Sequence, residues 1–281
     1  MTQAACLVCG GRYVQGKLAG LLVCEACGFV TANVTTSHEE LESLYSANYF
    51  AGDEYKDYVG ERRIIEKNFQ ARLNTLLRYV PGAADKHLFE IGAAYGFFLS
   101  VAQGKFASVE GIDISRDAAS YASETLRLPV HAGDFLEYRI PNRIDVACLW
   151  DTVEHLQSPH LYLEKLSGHM DRGGMVAVTT GDIGSLVARF RGGKWRQIHP
   201  PTHLHYFSTD TLTRLLRKYG FVVRHCGHEG MYRSLDMIAY IILNIKHDLP
   251  GLYRLLKRSG LLKWDFYLNI GDIMFLVAEK E

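Results

Sequence analysis

The apolar positions of this chain follow two periods. Short apolar runs recur at Leu88–Ile91, Ser108–Ile112, Val130–Ala132, Asp145–Leu149, Met175–Thr180, Phe221–His225 and Ile273–Glu279, each the length of a buried strand. The sixth run can extend to Glu229. Between Glu61 and Val80 the period changes: Ile64, Ile65, Phe69, Leu73, Leu76 and Leu77 recur at helical spacing, and Pro81-Gly82 stops the pattern. This predicts one long helix, mostly core. Ser115 is placed to cap a second helix over Arg116–Leu126, and Ser37-x-x-Glu40 has the form of a capping box opening a helix over Glu39–Tyr45. Strands alternating with helices predict an α/β fold around a parallel sheet.

The first strand breaks into Gly92-Ala93-Ala94-Tyr95-Gly96 and then enters a helix. Small residues there let backbone approach a ligand, and a helix start offers N–H groups to a carboxylate or phosphate. The acidic residue that precedes the turn, Glu90, argues against a phosphate. The Gly-x-Gly-x-x-Gly dinucleotide fingerprint fails, because Gly92 and Gly96 are separated by three residues. Glu90, Ile91, Gly92 and Gly96 instead resemble the first motif of class I S-adenosylmethionine (SAM) dependent methyltransferases, with Ala94 in place of the middle glycine. Asp113, followed by Ile114, ends the second strand where a nucleotide-binding sheet places an acid on ribose hydroxyls. The resemblance implies that Asp134 reads the adenine amino group and that Phe135 packs the base. Trp150 and Asp151 close the fourth strand, so four successive strand ends would converge on one crevice. Asp145 through Leu156, the turn Asp171-Arg172-Gly173-Gly174 and the stretch from His203 to Phe221 are similar to later motifs of the same family. The likeness covers about 85–281. It implies a Rossmann-like seven-stranded sheet with an antiparallel last strand, and a cofactor site of Glu90, Gly92, Ala93, Tyr95, Gly96, Asp113, Ile114, Asp134, Phe135, Trp150 and Asp151.

Four of the six cysteines lie ahead of this domain: Cys6-x-x-Cys9, fourteen residues, then Cys24-x-x-Cys27. Paired knuckles followed by Gly10 and Gly28 predict a closed, structural Zn2+ site in a small ribbon over 1–36. Residues 37–84 would form a helical linker whose aromatics, Tyr45, Tyr49, Phe50, Tyr55 and Tyr58, either pack the ribbon onto the main domain or serve as a lid.

Charge narrows the partners. Lys plus Arg and Asp plus Glu both number 31, a balance that counts against a dedicated nucleic-acid binder. No signal peptide is visible at the N-terminus, and no apolar run approaches the roughly 18 residues of a membrane span, so a cytoplasmic protein is expected. Gly230 to Asn269 reads as a helical insertion or cap. Its apolar run, Met237–Ile245, precedes Lys246, Arg254, Lys257, Arg258 and Lys263, which suits either a solvated cap or peripheral contact with a membrane or a lipid-linked substrate.

Methyl transfer to oxygen or carbon needs a base near neutral pH, and histidine is the natural choice. His155 follows the fourth strand end directly. His199, His203 and His205 form a second cluster beside Pro200-Pro201; a metal site there would need an accompanying acid, and the neighbouring sequence supplies none. Arg189, Arg191, Lys194 and Arg196, interleaved with Phe190 and Trp195, predict a basic loop, either suited to a phosphate-bearing acceptor or simply solvated. The leading expectation is SAM-dependent methylation, at oxygen, of a small molecule, glycan or nucleotide sugar. The layout also resembles sugar C-methyltransferases, whose further C-terminal domain has no counterpart in this sequence, and zinc-ribbon rRNA guanine methyltransferases, which the neutral charge opposes. A non-enzymatic scaffold on a degenerate cofactor fold is the alternative that Ala94 suggests.

Overall fold

A computed structural model describes residues 5–34 and 58–281. The capping box at Ser37 and Glu40, the helix expected over Glu39–Tyr45 and the aromatics Tyr45, Tyr49, Phe50 and Tyr55 lie outside the described residues.

The chain opens with three short strands, β1 (Tyr13–Gln15), β2 (Leu21–Cys24) and β3 (Val30–Ala32). A sixteen-residue helix, α1 (Arg62–Leu77), leads to β4 (His87–Ile91). Then follow α2 (Phe97–Ala102), β5 (Ser108–Asp113), α3 (Arg116–Ser120), β6 (Val130–Ala132), β7 (Val146–Trp150), α4 (Pro159–His169) and β8 (Met175–Gly181). The helix expected over Arg116–Leu126 widens into a π turn over Tyr121–Thr125. Ser115 makes no side-chain cap; its backbone N–H donates to Asp113 instead.

After β8 come α5 (Leu186–Arg191), β9 (His205–Tyr206), α6 (Thr209–Lys218) and β10 (Phe221–His228). The insertion holds β11 (Met231–Ser234), α7 (Leu235–Tyr240), α8 (Pro250–Arg258) and β12 (Asp265–Leu268), and β13 (Ile273–Lys280) ends the chain.

Seven strands form one sheet in the order β10-β13-β8-β7-β4-β5-β6. The five from β8 to β6 run parallel, and β13 lies antiparallel between β8 and β10, as the resemblance implies. Both faces are covered, which is why β7 and β8 are buried at every position and read as unbroken apolar runs. On one face Leu73, Leu76, Phe98 and Leu99 pack over Leu88, Val146 and Val277; on the other Leu163, Leu166, Leu212 and Leu216 pack over Phe89, Ala147, Val176 and Leu276. From β4 the chain moves outward to β5 and β6, then returns to the other side of β4 as β7 and β8. That reversal leaves a crevice beyond the carboxyl ends of β4 and β7.

Two features depart from the expected layout. The ribbon shares its sheet with the main domain: β3 pairs antiparallel with β9, Val30 opposite Tyr206 and Thr31 opposite His205. Strand pairing thus crosses the boundary expected at residue 36. The insertion, expected to be helical, begins and ends in an antiparallel strand pair, Met231 opposite Leu268 through Ser234 opposite Asp265. Four-residue strands offer too few positions for a period to show. This pair docks on α1, where Asn68 exchanges hydrogen bonds with the Tyr232 backbone and Arg63 grips Asp265 through two of 2.6 and 2.7 Å. Among the described residues no helix is long and apolar enough to cross a membrane.

Candidate active site

A cavity of about 250 Å³ occupies the crevice. Glu90, Gly92, Ala93, Asp113, Ile114, Asp134, Phe135, Trp150 and Asp151 line it, together with His155. The four strand ends singled out in the sequence therefore meet around one space. Tyr95 and Gly96 stand behind the lining. Tyr95 joins a cluster of rings with Tyr58 and Tyr121, centroids 5.4 and 5.1 Å away. Gly96 precedes α2 at φ 76°, and a Cβ there would come within 3.0 Å of Ala122 and Leu128.

The turn after β4 is held by close contact and by an acid. A Cβ on Gly92 would fall 2.5 Å from the Thr152 hydroxyl, so only glycine fits. Ala94 takes φ 44°, a left-handed conformation where alanine is strained. Its N–H donates to Asp113 Oδ2 at 2.7 Å, while Ser115 N–H donates to Oδ1 at 2.8 Å. Burial raises the Asp113 pKa, and these two donors oppose the rise. Asp134 Oδ1 accepts from Leu136 N–H and from the Tyr162 hydroxyl, and the Tyr162 ring stacks on Phe135 at 5.7 Å.

Glu90 is the least satisfied acid. It is buried, its Oε2 has no hydrogen-bond partner, and burial followed by the charge of Asp113 holds its pKa well above the ordinary carboxylate range. Arg72 opposes that rise. This guanidinium reaches from α1 to Asp151 Oδ2 at 2.7 Å and lies over the Trp150 ring. Asp151, at φ 51°, also accepts from the Thr179 hydroxyl at 3.1 Å.

Arg72, Thr152 and Tyr162 escaped the sequence reading. An arginine inside a helix of apolar period carries no mark that it turns toward the sheet, and Tyr162 acts from an element that no cofactor motif covers.

The histidines separate into two groups. His155 donates its Nδ1 proton to the Thr202 carbonyl at 2.8 Å, and its ring lies 4.5 Å from that of His203, which lies 3.9 Å from His199. Burial is the main cause that lowers His155 to about 4 and His203 to about 2, so both rings are neutral. His205 points elsewhere: Nδ1 meets the Thr31 hydroxyl at 3.1 Å and Nε2 the Gln157 carbonyl at 3.4 Å. It belongs to the seam between ribbon and domain, and the expectation that it serves the acceptor is corrected. A second correction concerns the missing acid. Glu154, buried beside His155, brings its carboxylate to within 4.8 Å of the ligand nitrogens of His155 and His203.

The four cysteines converge, with Sγ atoms of Cys6 and Cys27 3.6 Å apart and those of Cys9 and Cys24 3.5 Å apart. Tetrahedral thiolate zinc requires about 3.8 Å between sulfurs, far beyond a disulfide's roughly 2 Å. The donor set fits zinc. The basic loop is a different object from the one expected: Trp195 is buried and donates to Asp272, and Arg196 pairs with the same carboxylate at 3.1 Å. Arg196 is thereby committed to a structural contact.

Strand order, reversal point and the acid-lined cavity define an α/β domain with the fold of SAM-dependent methyltransferases. A family profile described as a methyltransferase domain matches residues 62–226, and the chain belongs to that family. No curated protein sequence matches it. Among solved structures it is similar to the magnesium protoporphyrin IX methyltransferase ChlM of Synechocystis with bound SAH, the demethylated cofactor, at 13% identity and TM-score 0.55 over 87% of this chain and 100% of that one. It is also similar to a SAM-dependent methyltransferase of Thermotoga maritima, at 18% identity and TM-score 0.50 over 78% of this chain and 91% of that one. A third likeness, to the (4+2)-cyclase SpnF, has 17% identity and TM-score 0.51 over 74% of this chain and 80% of that one. The fold alone therefore leaves the reaction to be argued from the site.

Proposed function

We propose that this protein transfers a methyl group from SAM to the oxygen of a small-molecule, glycan or nucleotide-sugar acceptor. The observation that carries the reading is the convergence of Glu90, Asp113, Asp134 and Asp151 with the turn at Gly92 on one cavity. SAM supplies a methyl carbon bonded to a cationic sulfur, with a cationic amino group beside it. A cavity lined by four acids, two of them buried, is complementary to that charge. Asp113 holds the ribose hydroxyls, Asp134 and Phe135 hold adenine, and the turn lies against the amino-acid part. His155, with His199 and His203 behind it, handles the acceptor hydroxyl and its proton. The Cys6, Cys9, Cys24, Cys27 cluster holds a structural zinc ion.

The experiment is isothermal titration of the purified chain with SAM and with SAH. Binding of both in the micromolar range is expected, with Asp113→Asn at least about tenfold weaker, the loss of one good charge-assisted hydrogen bond. Failure of either ligand to bind would move the protein to the scaffold reading.

The insertion bears on where the acceptor lies. Leu249, just before α8, and Leu252 and Leu255 within it recur every third residue and are exposed, as are Leu261 and Trp264 just beyond. Arg254, Lys257, Arg258 and Lys263 are interleaved with them. An apolar face among cations is complementary to an anionic lipid surface, and we assign the insertion to contact with such a surface, where a lipid-linked acceptor would be presented.

A further inference from the structure

Apart from the four cysteines, one group of metal-binding side chains comes together among the described residues: Glu154, His155 and His203, whose ligand atoms lie within 4.8 Å of one another. The Glu154 carboxylate is enclosed. Its Oε2 has no hydrogen-bond partner among the described residues. A buried carboxylate oxygen without a partner is unfavourable unless a cation or donor meets it.

One imidazole is oriented from outside the group. His155 meets the Thr202 carbonyl through Nδ1 at 2.8 Å. A carbonyl only accepts, so in the neutral ring Nδ1 carries the proton. Backbone carbonyls that fix the tautomer in this way are the usual outer support of metal-bound histidine. The segments carrying the ligands are also tied together, because the Glu154 carbonyl accepts from Leu204 and His205 N–H at 2.9 and 3.1 Å.

We propose that Glu154, His155 and His203 form a second metal centre, for a divalent transition cation, at the acceptor end of the cavity. Two imidazoles and one carboxylate suit zinc, manganese or ferrous iron better than calcium or magnesium. Three protein ligands leave positions open, in contrast to the closed thiolate site. His155 also lines the cavity, so an open position faces it, and a hydroxyl bound there would lose its proton to solvent more readily, His155 then acting through the metal and not as the base itself. That role rests on the methyltransferase reading above; the existence of the centre does not.

The test loads the full-length protein with zinc, removes excess by gel filtration and counts metal per chain by mass spectrometry. Two zinc ions are expected in the wild type and one in each of Glu154→Gln, His203→Gln and Cys24→Ser. In cobalt-loaded protein, Cys24→Ser should lose the intense thiolate-to-metal absorption and keep the weak bands of a nitrogen and oxygen site. Glu154→Gln preserves shape, and its retained melting temperature would show that metal loss is not unfolding; its second zinc should bind at least about tenfold more weakly. One zinc ion in the wild type, or two retained in both Glu154→Gln and His203→Gln, would overturn the proposal. SAM titration of the same samples keeps the two readings apart: one metal with SAM binding intact refutes the centre alone, and two metals without SAM binding refute the methyltransferase reading alone.

Discussion

At Glu90 the role proposed in cofactor binding opposes stability. Its carboxyl is buried, one oxygen is unpartnered, and its pKa is raised well above the ordinary value by burial and by Asp113. For an acid whose folded pKa is raised, the penalty is absent below the unfolded pKa of about 4.3 and grows as pH rises toward the folded value. Glu90→Gln should therefore stabilise the ligand-free protein near pH 8 by about 1 kcal/mol, a melting shift of about 3 °C, and should gain nothing near pH 4. The same variant should bind SAM at least about tenfold more weakly by calorimetry. An unchanged melting temperature near pH 8 would show that the buried oxygen is satisfied in solution. Asp113 differs, because it braces the turn through Ala94 and Ser115; Asp113→Ala should lose both contacts and about 1–3 kcal/mol by thermal unfolding, and Asp113→Asn, whose amide offers one accepting oxygen to two N–H donors, should lose one of them.

What was legible at this scale follows from chemistry on one strand end. Glu90, Asp113 and Asp134 each stand beside a break in an apolar run, where the strands end at the crevice, and the sequence marks that directly. Arg72 and Glu154 were not legible. Each is buried by an element distant in sequence, Arg72 against Asp151 and Glu154 beneath the segment at Leu204, and no local period records such a meeting. His205 misled for the same reason, since its partner Thr31 lies 174 residues away.

At the scale of elements, the ribbon acts as the outer part of the sheet that carries the histidine segment. Phe29 packs on Phe207 at 5.1 Å, Ala32 N–H donates to the Leu204 carbonyl at 2.8 Å, and the Leu204 and His205 N–H groups donate in turn to Glu154. Knuckles, β3, the 203–207 segment and the end of β7 thus form one continuous chain of hydrogen bonds and ring contacts. Loss of the zinc proposed at the cysteines should be felt at the end of the cavity lined by His155. In Cys24→Ser, hydrogen exchange should quicken at the amides of Ala32 and Tyr206, while β4, β5 and SAM affinity remain close to wild type. Exchange confined to residues 5–34 would show instead that the ribbon opens without disturbing the domain. The inner strands of the central sheet, β4, β5, β7, β8 and β13, were readable in advance because they are buried at nearly every position. The β3 and β9 pairing was not, because β9 is two residues long.

For the whole molecule, zero formal charge conceals an uneven distribution. The insertion anchors one side on α1 through Arg63, Lys67 and Asn68, and turns α8 and the residues after it outward. Trp264 is 71% exposed and Leu255 65%, with four cations between Arg254 and Lys263. Each cation near an anionic surface contributes about 1 kcal/mol, and the buried apolar side chains add a contribution that salt does not screen. The protein should therefore sediment with vesicles containing phosphatidylserine, bind weakly to phosphatidylcholine alone, and lose affinity as ionic strength rises. Trp264 emission should shift to shorter wavelength on binding. Leu255→Glu together with Trp264→Ala should abolish sedimentation and leave SAM titration unchanged, since neither residue lines the cavity. Equal binding to both vesicle types would remove the electrostatic half of the argument. No binding to either would make the insertion a cap, and would return the acceptor to solution, where the cavity mouth alone selects it.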